Sequence, residues 1–174
     1  MSRIISLVFA LTMVVLAESA DRGYIVKIGD SSPDFSLTML DGKIVSLKDL
    51  KGKIVVLQFT ASWCSVCRIE MPHLEKEVWQ RFKDQDFVLI GIDRDEPLDV
   101  VKKFKQEMKV TYPMALDPGS DIFALFAHKN AGVTRNIVLD RNGEIVFLTR
   151  LFEKQEFNQM IEKIEKLLAV DKKS

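Results

Sequence analysis

The sequence predicts an α/β domain in which a central β-sheet carries helices on both faces. Three observations support this fold class. An apolar β-type run at residues 54–59 leads directly into a helical pattern, a continuous apolar run at 87–92 is typical of a covered central strand, and a hairpin at 136–148 precedes an amphipathic helix. The 174 residues, 47% of them apolar, are enough for one well-buried domain.

The first elements form a predicted hairpin. Asp41-Gly42 is a turn signal between the segments 33–37 and 44–47, and a short helix or turn at 47–50 closes the unit. The strand at 54–59 follows.

The helix after this strand is predicted from apolar residues that fall close to one face: Ile69, Leu74, Val78 and Phe82. Pro72 lies inside it and is expected to kink it, because proline lacks an N–H and its ring crowds the preceding turn.

The chain after residues 87–92 predicts three short elements and then a hairpin and a helix. A lysine-rich amphipathic helix covers 98–108, a short strand covers 112–116, and Ser120 caps a helix over 120–127. Asn142-Gly143 is the strongest hairpin signal in the chain and joins the last two strands, 136–140 and 144–148. The final helix, 153–170, has an apolar stripe formed by Phe157, Ile161, Ile164 and Leu168.

The only two cysteines, Cys64 and Cys67, are separated by two residues and follow the strand at 54–59. This spacing fits the first turn of a helix, where unpaired N–H groups and the helix dipole favour a thiolate on the upstream cysteine. Such a thiolate attacks a disulfide, and the second cysteine resolves the mixed disulfide. The sequence therefore predicts a redox-active dithiol. Two alternatives stay open: half of a zinc site, which needs two further ligands, and a structural disulfide, which seldom links positions three apart.

The N-terminus has the composition of a secretory signal peptide. Arg3 precedes an apolar stretch at 4–16, and the small residues Ala17 and Ser19 are placed for cleavage after Ser19. We therefore expect a signal peptide at 1–19 and an exported domain at 20–174; an uncleaved N-terminal membrane anchor is the alternative. The net charge is zero, with 25 basic and 25 acidic residues, and gives no electrostatic argument for binding nucleic acid or a membrane surface.

Residues 59–72, the N-terminal hairpin and the insertion between Asp93 and Val133 resemble the exported thioredoxin-like proteins of the TlpA/ResA group, within the AhpC/TSA-like superfamily. The similarity covers about 29–168. It implies a thioredoxin-like fold with a mixed sheet, an insertion after the second core strand, and the dithiol at the start of a kinked helix. It also implies thiol:disulfide exchange on protein disulfides, usually in the reducing direction and outside the cytoplasm. The resemblance further implies a periplasmic monomer without a cofactor, which takes its electrons from a dithiol partner, possibly in the membrane.

The resemblance also assigns roles to single residues. Cys64 matches the nucleophile, Cys67 the resolving thiol, and Trp63 the aromatic residue beside the dithiol, with a core or rim filler as its alternative. Glu70, one helical turn beyond Cys67, matches an acidic residue of the active site. A carboxylate there can raise a cysteine pKa and accept a proton during resolution, unless it is merely a solvated helix residue. Gln58 stands where cytoplasmic thioredoxins bury an aspartate.

The main departure from the family pattern is at Thr134, where thioredoxin-fold oxidoreductases place a cis-proline. Threonine is expected to form a trans peptide, because a cis bond before a non-proline residue costs about 2.5–4 kcal/mol. We expect Thr134 and the following Arg135 to line the substrate groove; Arg135 is expected to pair with an acidic partner group or a thiolate, or to be an exposed strand-end residue.

Two other functions share features of this sequence. A peroxiredoxin would need a threonine or serine three residues before its reactive cysteine, where Ala61 stands. A copper-delivery module would use both thiolates and a histidine, for which His73 and His128 are the candidates. Neither alternative accounts for the whole motif as well as thiol:disulfide exchange does.

Overall fold

The computed structural model describes residues 22–170, which form one seven-stranded sheet with its covering helices. The expected signal peptide at 1–19 lies outside the described residues, so the division at residue 19 stays a prediction. The strands are β1 (Ser36–Met39), β2 (Ile44–Ser46), β3 (Ile54–Thr60), β4 (Phe87–Arg94), β5 (Met114–Asp117), β6 (Arg135–Leu139) and β7 (Ile145–Arg150). The α-helices are α1 (Ser65–His73), α2 (Gln80–Phe82), α3 (Leu98–Met108) and α4 (Lys154–Ala169).

The strand order β2-β1-β5-β4-β3-β6-β7 makes the sheet mixed. Strands β3, β4 and β5 are parallel neighbours, whereas β6 and β7 continue the sheet antiparallel on one side and the β1–β2 hairpin does so on the other. Both predicted hairpins are present. The α/β fold class is therefore confirmed, with the N-terminal hairpin and with an insertion after β4 that contains α3 and β5.

Alternating side chains of β3 divide the core into two layers. Ile54 and Val56 face the layer covered by α1, α3 and α4. The opposite layer receives Val55, Leu57 and Phe59 and is covered by short 3₁₀ turns and the N-terminal segment. All five side chains are buried, which explains why β3 is apolar without alternation.

The helix expected at 120–127 is absent, and this prediction was wrong. Two 3₁₀ turns, Pro118–Ser120 and Phe123–Leu125, take its place. The carboxylate of Asp117 accepts hydrogen bonds from the backbone N–H groups of Ile122 (2.8 Å) and Phe123 (2.9 Å). Ser120 has a φ of 58° in the left-handed region, so it cannot act as the predicted N-cap.

The active-site helix is irregular after Pro72, as expected. Helix α1 passes into a π-helix at Leu74–Trp79 and then into α2. Proline cannot donate to the carbonyl four residues earlier, so the regular ladder is broken at this point. Leu74 and Val78 are buried as predicted, but Ile69 is exposed and does not belong to the apolar stripe.

Among residues 22–170, no helix combines the length and the apolar composition needed to cross a bilayer.

Asp93 is an acidic side chain in the core at the carboxyl end of β4. It pairs in register with Thr60 of β3, and within the described residues neither of its carboxylate oxygens has a hydrogen-bond partner. Burial, followed by the nearby carboxylates of Glu96 and Asp117, raises the pKa of Asp93 to about 8. The folded state therefore holds Asp93 in its neutral form at neutral pH.

We expect the Asp93→Asn variant to lose part of the pH dependence of stability. Because the folded-state pKa of Asp93 lies above the unfolded-state value, the folded chain binds an extra proton between about pH 4 and pH 8. The free energy of unfolding therefore falls across this window and levels off above it. Asparagine cannot ionise, so urea denaturation should show a decline from pH 5 to pH 9 that is smaller by up to about 4 kcal/mol. The exposed Asp84→Asn variant is the control, and equal declines in wild type and Asp93→Asn would contradict this assignment.

Candidate active site

Cys64 begins the active-site helix. It is the N-cap of α1, with extended backbone angles, and its Sγ accepts a hydrogen bond from the backbone N–H of Cys67 at 3.1 Å. A polar residue at this position satisfies one of the unpaired N–H groups of the first turn. In this helix the sulfur of Cys64 takes that role. The N–H group that it accepts also favours negative charge on the sulfur.

Cys64 and Cys67 form a disulfide, with their Cα atoms 5.3 Å apart. The two side chains differ in accessibility: Cys64 keeps 8% of its surface exposed, whereas Cys67 is fully buried. A reaction partner can therefore approach Cys64 from solvent, whereas Cys67 is shielded. The described residues contain no group of three or more His, Cys, Asp or Glu arranged to hold a metal ion.

Thr134 contacts both sulfurs from the loop before β6. Its Oγ1 lies 3.2 Å from Sγ of Cys64 and 3.3 Å from Sγ of Cys67. No cis peptide occurs among the described residues, so the expected trans bond is present. The carbonyl of Thr134 accepts a hydrogen bond from the N–H of Leu151 at 3.1 Å, which ties the loop to the end of β7. The hydroxyl contact could not be predicted from sequence, because it joins residues about 70 positions apart in the chain.

Glu70 belongs to a buried polar cluster beneath α1. Its Oε1 accepts a hydrogen bond of 2.6 Å from the side-chain amide of Asn136, and its Oε2 accepts one of 3.4 Å from Gln58. Gln58 in turn accepts a 2.8 Å hydrogen bond from the hydroxyl of Tyr112, and Asn136 also donates to Thr149 at 2.9 Å. We call Gln58, Glu70, Tyr112, Asn136 and Thr149 the inner polar cluster.

The environment of Glu70 rules out a solvated helix residue, because only 1% of it is exposed. Burial raises the pKa of Glu70 to about 7, although the hydrogen bonds from Asn136 and Gln58 oppose the shift. The carboxyl group therefore changes charge near neutral pH. A group with this property can hold or release a proton during catalysis.

The loop before Cys64 is held by residues that sequence reasoning missed. The carboxylate of Glu96 accepts hydrogen bonds from the N–H and the hydroxyl of Ser62, at 2.5 and 2.6 Å. The side chain of Arg68 donates to the carbonyl of Ser62 at 2.7 Å and pairs with Glu107. The acidic run that follows β4 was the available signal, because the carboxyl ends of parallel strands meet at one edge of the sheet.

Trp63 projects into solvent beside the dithiol. It is 65% exposed, so a core filler is excluded, and a rim residue stays the alternative to substrate contact. An exposed indole next to the accessible sulfur can contact a substrate, and this role stays a prediction.

Arg135 does not line a surface groove, and both its predicted groove position and the exposed alternative are wrong. The side chain is fully buried on the face of the sheet opposite the helices. Its Nε donates to the carbonyl of Gly132 at 3.0 Å, and its guanidinium lies 4.4 Å from the ring centre of Tyr24. The N-terminal segment that carries Tyr24 covers Arg135, and the sequence did not predict this contact.

The candidate histidine for copper delivery on the active-site helix is engaged elsewhere. His73 contacts the carboxylate of Glu77 at 2.5 Å and stacks on the ring of Phe152. Ala61, where a peroxidatic site would need a hydroxyl, is buried in the core.

Comparison with known proteins agrees with this geometry. The model of the AhpC/TSA family matches residues 28–148. A thiol-disulfide oxidoreductase ResA of Bacillus cereus is 34% identical over 121 residues, which cover 70% of this chain and 68% of the relative.

Two solved structures share the fold along nearly their whole length. A candidate protein disulfide isomerase from Bacteroides thetaiotaomicron is 55% identical, with a TM-score of 0.82 over 84% of this chain and 93% of the other. The thioredoxin domain of a thiol-disulfide oxidoreductase from Bacteroides vulgatus is 29% identical, with a TM-score of 0.68 over 79% of this chain and 97% of the other. The chain therefore belongs to the AhpC/TSA family and is a TlpA/ResA-like thiol:disulfide oxidoreductase of the thioredoxin fold.

Proposed function

We propose that the protein reduces protein disulfides outside the cytoplasm, with Cys64 as the attacking thiolate and Cys67 as the resolving thiol. One observation carries this assignment: Cys64 is the more exposed of the two cysteines, and its Sγ accepts the N–H of Cys67 at the start of α1. Both features favour a nucleophilic thiolate on Cys64.

The reaction proceeds in two exchanges. The Cys64 thiolate attacks one sulfur of the substrate disulfide, the substrate S–S bond breaks, and the first substrate thiolate leaves. Cys67 then loses its proton and attacks Sγ of Cys64, which breaks the mixed disulfide and releases the second substrate thiolate. The protein ends as the Cys64–Cys67 disulfide, and the two substrate thiolates take up the proton that Cys67 lost and one proton from water to form a dithiol. A dithiol partner must return two electrons to the protein, together with the one proton that Cys67 carries in the reduced state.

Glu70 is the proposed proton acceptor for Cys67. It lies one helical turn beyond Cys67 on α1, and its pKa of about 7 is matched to neutral conditions. The charged carboxylate opposes formation of a thiolate nearby by like-charge repulsion, so it favours the thiol form of the cysteine until proton transfer occurs.

The substrate surface proposed here consists of Trp63 and the loop that contains Thr134. Trp63 is exposed beside Cys64, and Thr134 contacts both sulfurs. A polypeptide whose cysteine reaches Sγ of Cys64 must pass both residues.

The proposal has four further parts: the protein is exported, it lies in the periplasm, it is a monomer, and its electron donor is bound to the membrane. The composition of residues 1–19 supports export, because a single basic residue precedes an apolar stretch and small residues. No prosthetic group is required, since the dithiol carries the two electrons itself.

We expect the two cysteine variants to behave differently. Cys64→Ser should abolish the reduction of insulin disulfides, because the leading thiolate is gone. Cys67→Ser should still attack insulin and accumulate as a mixed disulfide, because resolution is lost. Non-reducing electrophoresis and mass spectrometry distinguish these products, and Ser36→Ala, an exposed change on β1, is the control. Faster iodoacetamide labelling of Cys67 than of Cys64 in the reduced protein would overturn the assignment.

For Glu70→Gln, we expect thiol titration in the reduced protein to shift to lower pH and resolution at pH 7 to be slower. Glutamine has no charge to oppose a thiolate and no ability to accept a proton. Thiolate absorbance followed from pH 5 to pH 10 measures the first effect, and the lifetime of the mixed disulfide measures the second. Glu162→Gln, an exposed change on α4, is the control. Identical titration curves for wild type and Glu70→Gln would remove Glu70 from the mechanism.

For export, we expect the mature chain to begin at Ala20 in the extracytoplasmic fraction of the native host. Intact-mass analysis of the purified protein measures the cleavage site. Val14→Arg should interrupt the apolar stretch and leave the chain unprocessed. A membrane-bound chain that retains residues 1–19 would establish the uncleaved anchor instead, and an intact chain in the wild-type cytoplasm would contradict export.

A further inference from the structure

The hydroxyl of Thr134 is placed between the two sulfurs of the dithiol. Its Oγ1 is 3.2 Å from Sγ of Cys64 and 3.3 Å from Sγ of Cys67, and only 4% of the residue is exposed. A hydroxyl carries one proton to donate and two lone pairs to accept. A single hydroxyl can therefore serve both sulfurs at once, with a different function toward each.

Reduction of the disulfide creates two unequal sulfurs. On the proposed mechanism Cys64 is the thiolate and Cys67 the thiol. A thiolate only accepts hydrogen bonds, whereas a thiol can also donate one. The arrangement that satisfies all three groups has the Cys67 S–H donating to Oγ1 of Thr134, while the Oγ1–H donates to the Cys64 thiolate.

A second hydrogen-bond donor favours the thiolate on Cys64 rather than on Cys67. Sγ of Cys64 also accepts the backbone N–H of Cys67 at 3.1 Å. Two donors therefore converge on Cys64. Hydrogen bonds to an ionised acceptor are stronger than those to a neutral one, so both contacts favour negative charge on Cys64.

The backbone around Thr134 keeps the hydroxyl in place. Its carbonyl accepts the N–H of Leu151, and the next residue, Arg135, is the first of β6, in register with Phe59 of β3 and Arg150 of β7. Because the side chain is buried, it cannot reach solvent by rotating. The contact between the hydroxyl and the two sulfurs is therefore fixed by the fold.

We propose that the Thr134 hydroxyl is a catalytic residue of the exchange reaction, which donates a hydrogen bond to the Cys64 thiolate and accepts one from the Cys67 thiol. This inference rests on the proposed function, in which Cys64 attacks and Cys67 resolves. The hydroxyl therefore favours the state in which Cys67 keeps its proton and Cys64 is the thiolate that attacks. It forms and breaks no covalent bond, and the electrons move only between sulfurs.

Three substitutions at this position test the role of the hydroxyl. Thr134→Val keeps the shape of the side chain and removes the hydroxyl, Thr134→Ser keeps the hydroxyl and removes the methyl group, and Thr134→Ala removes both. The rate of iodoacetamide alkylation of Cys64 in each reduced variant is measured from pH 4 to pH 10, with folding checked by circular dichroism.

We expect the midpoint of alkylation to rise by about one pH unit in Thr134→Val and Thr134→Ala, which is about a tenfold lower reactivity of Cys64 below the midpoint. Thr134→Ser should stay within about twofold of wild type. A purely structural role would change the stability and the overall rate but would not move the midpoint. If Thr134→Val fails to fold, the comparison of Thr134→Ala with Thr134→Ser decides the question.

Two results would overturn the proposal: a wild-type midpoint in a folded variant that lacks the hydroxyl, or a midpoint in Thr134→Ser raised as far as in Thr134→Ala. Failure of the proposed function has a different signature. In that case wild-type protein would not reduce insulin, or Cys67 would be alkylated first, whatever residue 134 is.

Discussion

Glu70 and Asn136 join the two elements that meet at the dithiol. Glu70 belongs to α1, two residues after Arg68, and Asn136 belongs to β6, two residues after Thr134. Their 2.6 Å hydrogen bond lies in the core, where an unmade bond to either group would cost about 1–3 kcal/mol. The start of α1 and the Thr134 loop are therefore held at a fixed separation. The contact of the Thr134 hydroxyl with both sulfurs depends on that separation.

Local signals in the sequence account for most of the fold. The Asn142-Gly143 turn and the apolar runs of β3 and β4 act over a few residues, so hairpins, central strands and the dithiol at a helix start were predictable. The missed features depend on contacts between distant segments. Arg135 is buried because Tyr24, more than a hundred positions earlier, lies over its guanidinium. Charge alone predicts an exposed arginine, and only the path of the N-terminal segment changes that expectation.

The inner polar cluster also depends on contacts between distant segments and was therefore only partly predictable from sequence. Gln58 was identifiable as a polar residue inside an apolar strand, and Glu70 was identifiable by its distance from Cys67. Their common neighbours, Tyr112 and Asn136, come from the segment before β5 and from β6. These contacts require β3 and β6 to pair in register and α1 and the segment before β5 to pack beside them, and no local sequence pattern contains that information. The predicted helix at 120–127 failed for a local reason. The side chain of Asp117 accepts hydrogen bonds from the backbone N–H groups of Ile122 and Phe123, which the predicted N-cap Ser120 would have bonded.

On the proposed mechanism, Glu70 and Thr134 act on different sulfurs. The carboxylate of Glu70 lies one turn beyond Cys67 and opposes a second negative charge there, whereas the hydroxyl of Thr134 and the N–H of Cys67 converge on Cys64. The two effects have the same direction, since each favours a thiolate on Cys64 and a thiol on Cys67. A proline at position 134 would have neither a hydroxyl nor an N–H and would leave this division to the helix start and Glu70 alone. A threonine at this position therefore adds a polar contact at the reacting sulfur, which a proline could not make.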